Sequence, residues 1–413
     1  MLTTDELLLA ILREAIRGKK APLAVPLIES ELSALLDRAE EHKVLPLIFN
    51  AVCHSPSLCD IDGQVVARYQ KKAIEEITRQ IVQTNEFLVM LHAMQKCGLD
   101  PIVTKGLICR ELYPQPMLRP SIDEDLLVDS SQFKAAHDAI MAYGLAADHG
   151  EPDFVEDAEI SYHSPDSPLY IELHRELFTS DQEAYGLFAS IFTDVFHHTI
   201  TIKVQDMQVR TLSPSDHLLF LILHAYKHFL YGGVGIRQLC DIGLLAERFA
   251  KHINWKFISE NCEKAGMGKL PAAFFQIIEK DLGISTENMS LPSLWREPID
   301  TMPLLEDILT GGLMGNNSLN RMHSSNITLG AVATKGGRHH SLAGLRQSLF
   351  PPLKYMEGEF GYVKRMPFLL PLGWLHRIYI YMTNVMRSKR LSAVSTLKIG
   401  QERLALLKRY GII

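Results

Sequence analysis

The 413-residue chain has six cysteines but no C-x-x-C pair, so the usual ligand spacing of a zinc knuckle is missing. Cys53, Cys59, Cys97, Cys109, Cys240 and Cys262 read instead as free thiols suited to a reducing cytoplasm. No apolar run reaches the ~18 residues that a transmembrane helix requires. The longest, Leu218 to Leu223 and Phe368 to Leu372, are core-sized. The basic start of a signal peptide is missing too. Thr3-Thr4-Asp5-Glu6 reads as a capping box that opens an amphipathic helix. Positive charge is scarce: 42 Lys and Arg face 48 Asp and Glu, a formal net charge of -6. A protein that tracks long nucleic acid normally carries a basic footprint, so none is expected as a partner. A nucleotide or a short RNA end remains compatible.

The basic residues that do occur are concentrated at one end. His376 to Ile413 holds eight Lys/Arg and one acid, Glu402. This reads as a solvated basic helix pair, or as a patch for an anionic partner or membrane surface. Apolar residues make up 47% and charged residues 22%, an ordinary globular mix, and the length suggests two or three domains.

Hydrophobic spacing divides the chain. Residues 1–97 repeat apolar side chains at helical intervals, ending at Cys97-Gly98. Residues 98–212 alternate short strands and helices. Strands are expected at Pro101 to Thr104, Ile122 to Val128, Glu159 to His163 and Leu169 to His174, with a hairpin of Thr199 to Val204 and Met207 to Leu212. Helices are expected from Gly106 to Tyr113 and from Ser131 to Tyr143. Residues 213–310 are helical again, opened by Ser213 as cap, Pro214 and Asp216. The Gly-, Asn- and Ser-rich stretch 311–340 predicts a mobile loop, and 341–413 a helical, basic end. The fold class is α+β.

Four places carry chemistry. Asp123 and Asp125 stand two apart, so on a strand they share one face. Paired carboxylates repel unless a cation joins them, and a hard divalent ion with oxygen ligands is the usual solution. Leu126-Leu127-Val128 follows at once, which favours a buried strand over an exposed turn. Glu172 shares its strand face with Tyr170 and His174, a set that fits a metal cluster or a merely exposed face. Thr104-Lys105-Gly106 joins a strand to a helix; there a glycine admits a phosphate and Lys105 adds a point charge. The helix from Ser213 stacks His217, Leu221, His224 and His228, with Lys227 beside them. His224-x-x-x-His228 has zinc spacing but lacks the glutamate of H-E-x-x-H, so helix packing or a phosphate grip by Lys227 and His224 fits better.

These segments together resemble the bacterial family known as uncharacterised nucleotidyltransferases, within the DNA-polymerase-β-like superfamily. The resemblance rests on Thr104-Lys105-Gly106-Leu107, Leu118-Arg119-Pro120-Ser121-Ile122-Asp123-Glu124-Asp125-Leu126-Leu127-Val128 and Ile171-Glu172-Leu173-His174-Arg175. It continues in Leu212-Ser213-Pro214-Ser215-Asp216-His217, Leu223-His224-Ala225-Tyr226-Lys227-His228 and Arg237-Gln238-Leu239-Cys240-Asp241-Ile242, with a C-terminal echo in Leu349-Phe350-Pro351-Pro352. Three departures stand out. Gly106-Leu107 lacks the superfamily serine, leaving Lys105 to serve the triphosphate. Glu124 replaces an apolar residue between the aspartates, which suggests that its face is open at the strand start. Glu172 stands where Asp is commoner.

The resemblance implies a polymerase-β-like core that moves a nucleoside monophosphate from a nucleoside triphosphate to a hydroxyl of an unidentified acceptor and releases pyrophosphate. Asp123, Asp125 and Glu172 would hold Mg²⁺ or Mn²⁺. Lys105, Gly106, Arg119, His224 and Lys227 would bind the nucleotide, and residues 213–310 would close the cleft. A small molecule, a peptide or a protein could be the acceptor. The competing readings are an inactive nucleotide-sensing protein, disfavoured by the intact carboxylate trio, and an RNA-end nucleotidyltransferase, disfavoured by the acidic balance.

Overall fold

A computed structural model describes residues 3–21, 27–58, 61–148, 150, 152–179 and 186–311. Beyond these it describes 325, 328–332, 350, 353, 362–376, 379 and 393–413. Four helices come first: α1 (Thr4–Ala15), α2 (Glu29–Glu41), α3 (Leu45–Val52) and α4 (Gly63–Lys96). The Thr3–Glu6 capping box opens α1 as its sequence predicts. Then β1 (Ile102–Val103), α5 (Gly106–Arg110), β2 (Glu124–Leu127), α6 (Phe133–Tyr143), β3 (Ala146–Ala147), β4 (Glu159–Ser164), β5 (Ser167–His174), β6 (Thr199–Val204) and β7 (Met207–Leu212) build a sheet region. Helices α7 (Pro214–Tyr231), α8 (Ile236–Arg248), α9 (Trp255–Lys264), α10 (Leu270–Lys280), α11 (Ser293–Arg296) and α12 (Met302–Gly311) follow, with a last helix at Ala393–Arg409. Among the described residues no helix is long and apolar enough to cross a membrane.

The chain is therefore mixed α/β, with one seven-stranded mixed sheet in the order β3-β4-β5-β2-β1-β7-β6. β2 runs parallel to β5, and β1 parallel to β7, while the β1–β2, β4–β5 and β6–β7 pairs are antiparallel. The two-residue strand β3 has no signal in the sequence. Its pairing with His163 and Tyr162 of β4 is a tertiary matter. β2 is shorter than its apolar pattern suggests, and Asp123 lies just before it. Most of 311–340, the stretch expected to be a mobile loop, lies outside the described residues; 328–332 within it is helical.

Strand alternation gives the sheet two dissimilar faces. Val103, Leu126, Ile171 and Leu173 join one cluster with Phe87, Leu91 and Met94 of α4 and Phe133 and Ile140 of α6. Ile102 and Leu127 turn the other way and join the large cluster that holds α7, α8 and α10. Asp125, the residue between Glu124 and Leu126, turns the same way as Leu127, toward α7. Ser213 caps α7 by accepting from the Asp216 amide, and Pro214 fills its first turn, so the helix starts where the chain leaves β7.

Two buried histidines make this packing acid-sensitive. His42 in α2's C-cap lies against the Leu309 carbonyl at 3.1 Å through Nε2, and its Nδ1 has no partner. Burial pushes the His42 and His217 imidazoles down to about 4 each. An unfolded histidine titrates near 6.5, so below that pH the unfolded chain takes up protons that the folded chain refuses. Stability is whole above pH 6.5 and falls as the pH drops toward 4. Each histidine is expected to cost about 2 kcal/mol between pH 7 and pH 5. Urea unfolding at the two pH values measures it. His42→Leu should flatten the slope, and an unchanged midpoint in the wild type would refute the assignment.

Candidate active site

Parallel pairing of β2 with β5 sets Asp125 directly beside Glu172, and Leu127 beside His174. Partners in register share a face, so the carboxylates of Asp125 and Glu172 and the imidazole of His174 converge. One ligand atom from each lies within 4.8 Å of the others, a possible metal site. Asp125 is only 3% exposed, and its Oδ2 has no hydrogen-bond partner. A buried carboxylate oxygen left unpaired is costly, so the site suits an additional cation.

Two cations already stand there. The Lys105 ammonium is 2.8 Å from Asp125 Oδ1 and 3.5 Å from Asp123 Oδ2. His174 Nε2 lies 3.4 Å from Asp125 Oδ1 and 3.6 Å from Glu172 Oε2, while its Nδ1 is 3.4 Å from Glu159. Burial works against charge on Lys105, yet Asp125, Asp123 and Glu172 outweigh it and hold the ammonium above its ordinary range. Burial also opposes the His174 cation, but Asp125 and Glu172 raise it to about 9. Asp125 is likewise penalised by burial and is still held below the usual carboxylate range by Lys105 and His174. Glu172 goes the other way, since burial and the Asp125 charge both raise it. Asp123, Asp125, Glu172 and Glu159 thus face two close cations, and negative charge is left over.

α7 forms the opposite wall. His224 Nε2 is 3.3 Å from the Lys105 ammonium and 3.2 Å from His228 Nε2. Burial, with the nearby Lys105 charge, keeps both rings neutral, His228 at about 3 and His224 well below its ordinary value. Lys227 lines the same space, and burial lowers its pKa. The cavity measures about 280 Å³ and is lined by the carboxylates and also by Arg119 and by Arg237 and Asp241 of α8.

The cavity brings together the residues assigned to metal and nucleotide from the sequence, Lys105, Gly106, Arg119, Asp123, Asp125, Glu172, His224 and Lys227, while His217 and Tyr170 are not in its lining. Their details differ from expectation in three ways. Glu124 does not mark an open face. It is fully buried, 2.6 Å from Arg110, and accepts from Gln83 and the Leu107 amide. Gly106 is required by contact with Glu124 and the Asp123 carbonyl, at a φ of +37°. Arg119 is largely committed: its Nε and Nη2 donate to Asp241 at 3.0 and 2.6 Å, tying the loop before β2 to α8. Sequence reasoning assigned Arg237 no role, and gave His174 only a place beside Glu172 in a candidate metal set. His174 was visible as the i+2 neighbour of Glu172. Arg237 had one signal, a cation in the first turn of a helix, where the dipole disfavours it.

A family model described as an uncharacterised nucleotidyltransferase matches residues 29–280, a span that takes in α2 through α10 and all seven strands. No curated protein and no solved structure matches the chain.

Proposed function

The chain belongs to the uncharacterised nucleotidyltransferase family, and from that premise we propose that it transfers a nucleoside monophosphate from a nucleoside triphosphate to an acceptor hydroxyl, releasing pyrophosphate, on a polymerase-β-like core. The observation that carries this is the Asp125–Glu172 pair, set side by side by strand register at the floor of a cavity, with Asp125 Oδ2 unpartnered. A binding protein has no use for such a concentration of carboxylates, and the residual negative charge suits Mg²⁺ or Mn²⁺. Asp125 and Glu172 would hold the ion, with Asp123 at the mouth. When bound, the ion would supply charge neutralisation and lower the acceptor's pKa.

The protein's own groups do the rest. Lys105, Lys227 and the free edge of Arg119 take the phosphate charge beside Gly106, whose lack of a side chain leaves room for it; the next amide, Leu107, is already given to Glu124. His174, a cation below about pH 9, orients the two carboxylates between which it lies. α7 and α8 shut water from one side of the cavity. We assign residues 1–97, 98–212, 213–310 and 341–413 to separate regions, with 98–212 as the catalytic core.

The test of the reading is incubation with each α-labelled nucleoside triphosphate, Mg²⁺ and cell extract, followed by a search for the labelled product. Label in no product with any of the nucleotides would sink it. Lys105 gives a sharper check, because it neutralises Asp125 and Asp123 and is also assigned to the triphosphate. Lys105→Ala removes a like charge from the metal site, so Mn²⁺ alone should bind roughly tenfold more tightly. The same variant should bind a non-hydrolysable triphosphate about ten- to a hundredfold more weakly. Calorimetric titration reads both, and a fall in Mn²⁺ affinity would contradict the geometry.

A further inference from the structure

Arg237 and Arg119 both line the cavity, together with Asp241. Asp241 is the acid between them, and it is already engaged by Arg119 and by the Tyr113 hydroxyl at 2.8 Å. Two guanidinium groups therefore share this carboxylate, and the Asp123 and Glu76 charges also act on Arg237. Arg237 donates through Nη1 to the Pro120 carbonyl, while its Nε is buried without a partner. Arg119 is only 4% exposed, and its Nη1 likewise has no partner. Arg237 also stands in the first turn of the 13-residue helix α8, where the dipole repels a cation and attracts an anion. Buried donors left unused are costly, and an anion that accepts from both relieves that cost.

From these orphan donors we propose that Arg237, with the Nη1 of Arg119 and the α8 N-terminus, forms a second phosphate subsite of the cavity, joined to Lys105 and Lys227 through Arg119. Arginine suits that role because its planar fork grips two oxygens at once. The pKa of Arg237 is lowered by burial and by the Arg119 charge, a strain that a bound phosphate relieves. The subsite rests on the nucleotidyltransferase reading only for the source of its phosphate, which is either the tail of the nucleoside triphosphate or a phosphate carried by the acceptor.

The experiment is calorimetry on the full chain, wild type against Arg237→Gln and Arg237→Lys. The probes are inorganic pyrophosphate, inorganic phosphate, and the α,β-methylene analogues of the four ribonucleoside triphosphates with Mg²⁺. Arg237→Gln is expected to weaken pyrophosphate binding roughly tenfold or more, and Arg237→Lys, which keeps charge but loses the fork, by less. If the analogues weaken in step, the tail of the nucleotide sits there. If they bind as in wild type, and inorganic phosphate no longer binds to the analogue-loaded variant, the acceptor's phosphate does. Should Arg237→Gln fail to fold, a drop in pyrophosphate affinity in folded Arg237→Lys still decides for the subsite. Wild-type affinity for every probe in the folded variants overturns the proposal. Wild type that binds pyrophosphate but none of the analogues keeps the subsite and removes the nucleotide reading.

Discussion

Asp125→Asn is expected to lower nucleotidyl transfer at least about a thousandfold, since an ion that stabilises several kcal/mol of developing charge loses its central ligand. Asn keeps the shape and the neighbours of the side chain, so packing against Leu127 and His174 survives. What disappears is the charge that Lys105 and His174 face. Mn²⁺ titration without nucleotide should show binding in wild type and none in the variant. Asp123→Asn should weaken that binding less, because Asp123 lies outside the Asp125–Glu172–His174 cluster and its side chain is 36% exposed. Equal losses at both positions would mean that the ion sits nearer the mouth of the cavity than the register of β2 and β5 implies.

The sequence named residues that line this one cavity, but not how their charges are paired. Alternation along one strand is enough to place Asp125 on the face opposite Leu126, and the same rule places Glu172 with His174. That these strands are parallel neighbours in register is a sheet-order property with no local signature, because β2 and β5 are separated by α6, β3 and β4. Helix boundaries marked by caps were legible for the same local reason: Ser213-Pro214 starts α7, and Gly144 ends α6 in the left-handed conformation. Lys105 was read as a phosphate ligand from its place before Gly106. Its ion pairs with Asp125 and Asp123 depend on β1 lying antiparallel to β2, which neither segment states alone. Arg119 and Asp241 are more than a hundred residues apart, and their pairing is likewise visible only once α8 is packed on the sheet.

Gly106 was chosen from the sequence for a ligand and has a packing reason in the fold, and it leads to the largest stability effect expected here. Read locally, Gly before a helix lets a phosphate come close. In the fold, a Cβ at this position would lie 2.8 Å from Glu124 Cδ and 2.9 Å from the Asp123 carbonyl oxygen. Neither can move away cheaply. Glu124 is held by Arg110 at 2.6 Å, by Gln83 at 3.0 Å and by the Leu107 amide at 2.8 Å, all buried. The Asp123 carbonyl belongs to the backbone that leads into β2. The residue also sits at φ +37°, where side chains are disfavoured. Gly106→Ala must therefore disturb a buried ion pair or shift the strand that carries Asp125. Overpacking costs about 1–3 kcal/mol, and disturbing a buried pair costs more, so a total of roughly 3 kcal/mol or greater is expected. Urea unfolding should show the midpoint falling with the slope unchanged. Glu124→Ala in the Gly106→Ala background removes the obstacle but leaves Arg110 buried without its acid, so the double variant should not recover. A Gly106→Ala protein as stable as wild type would mean that the α5 start is not packed on Glu124, and that the glycine serves only an approaching ligand.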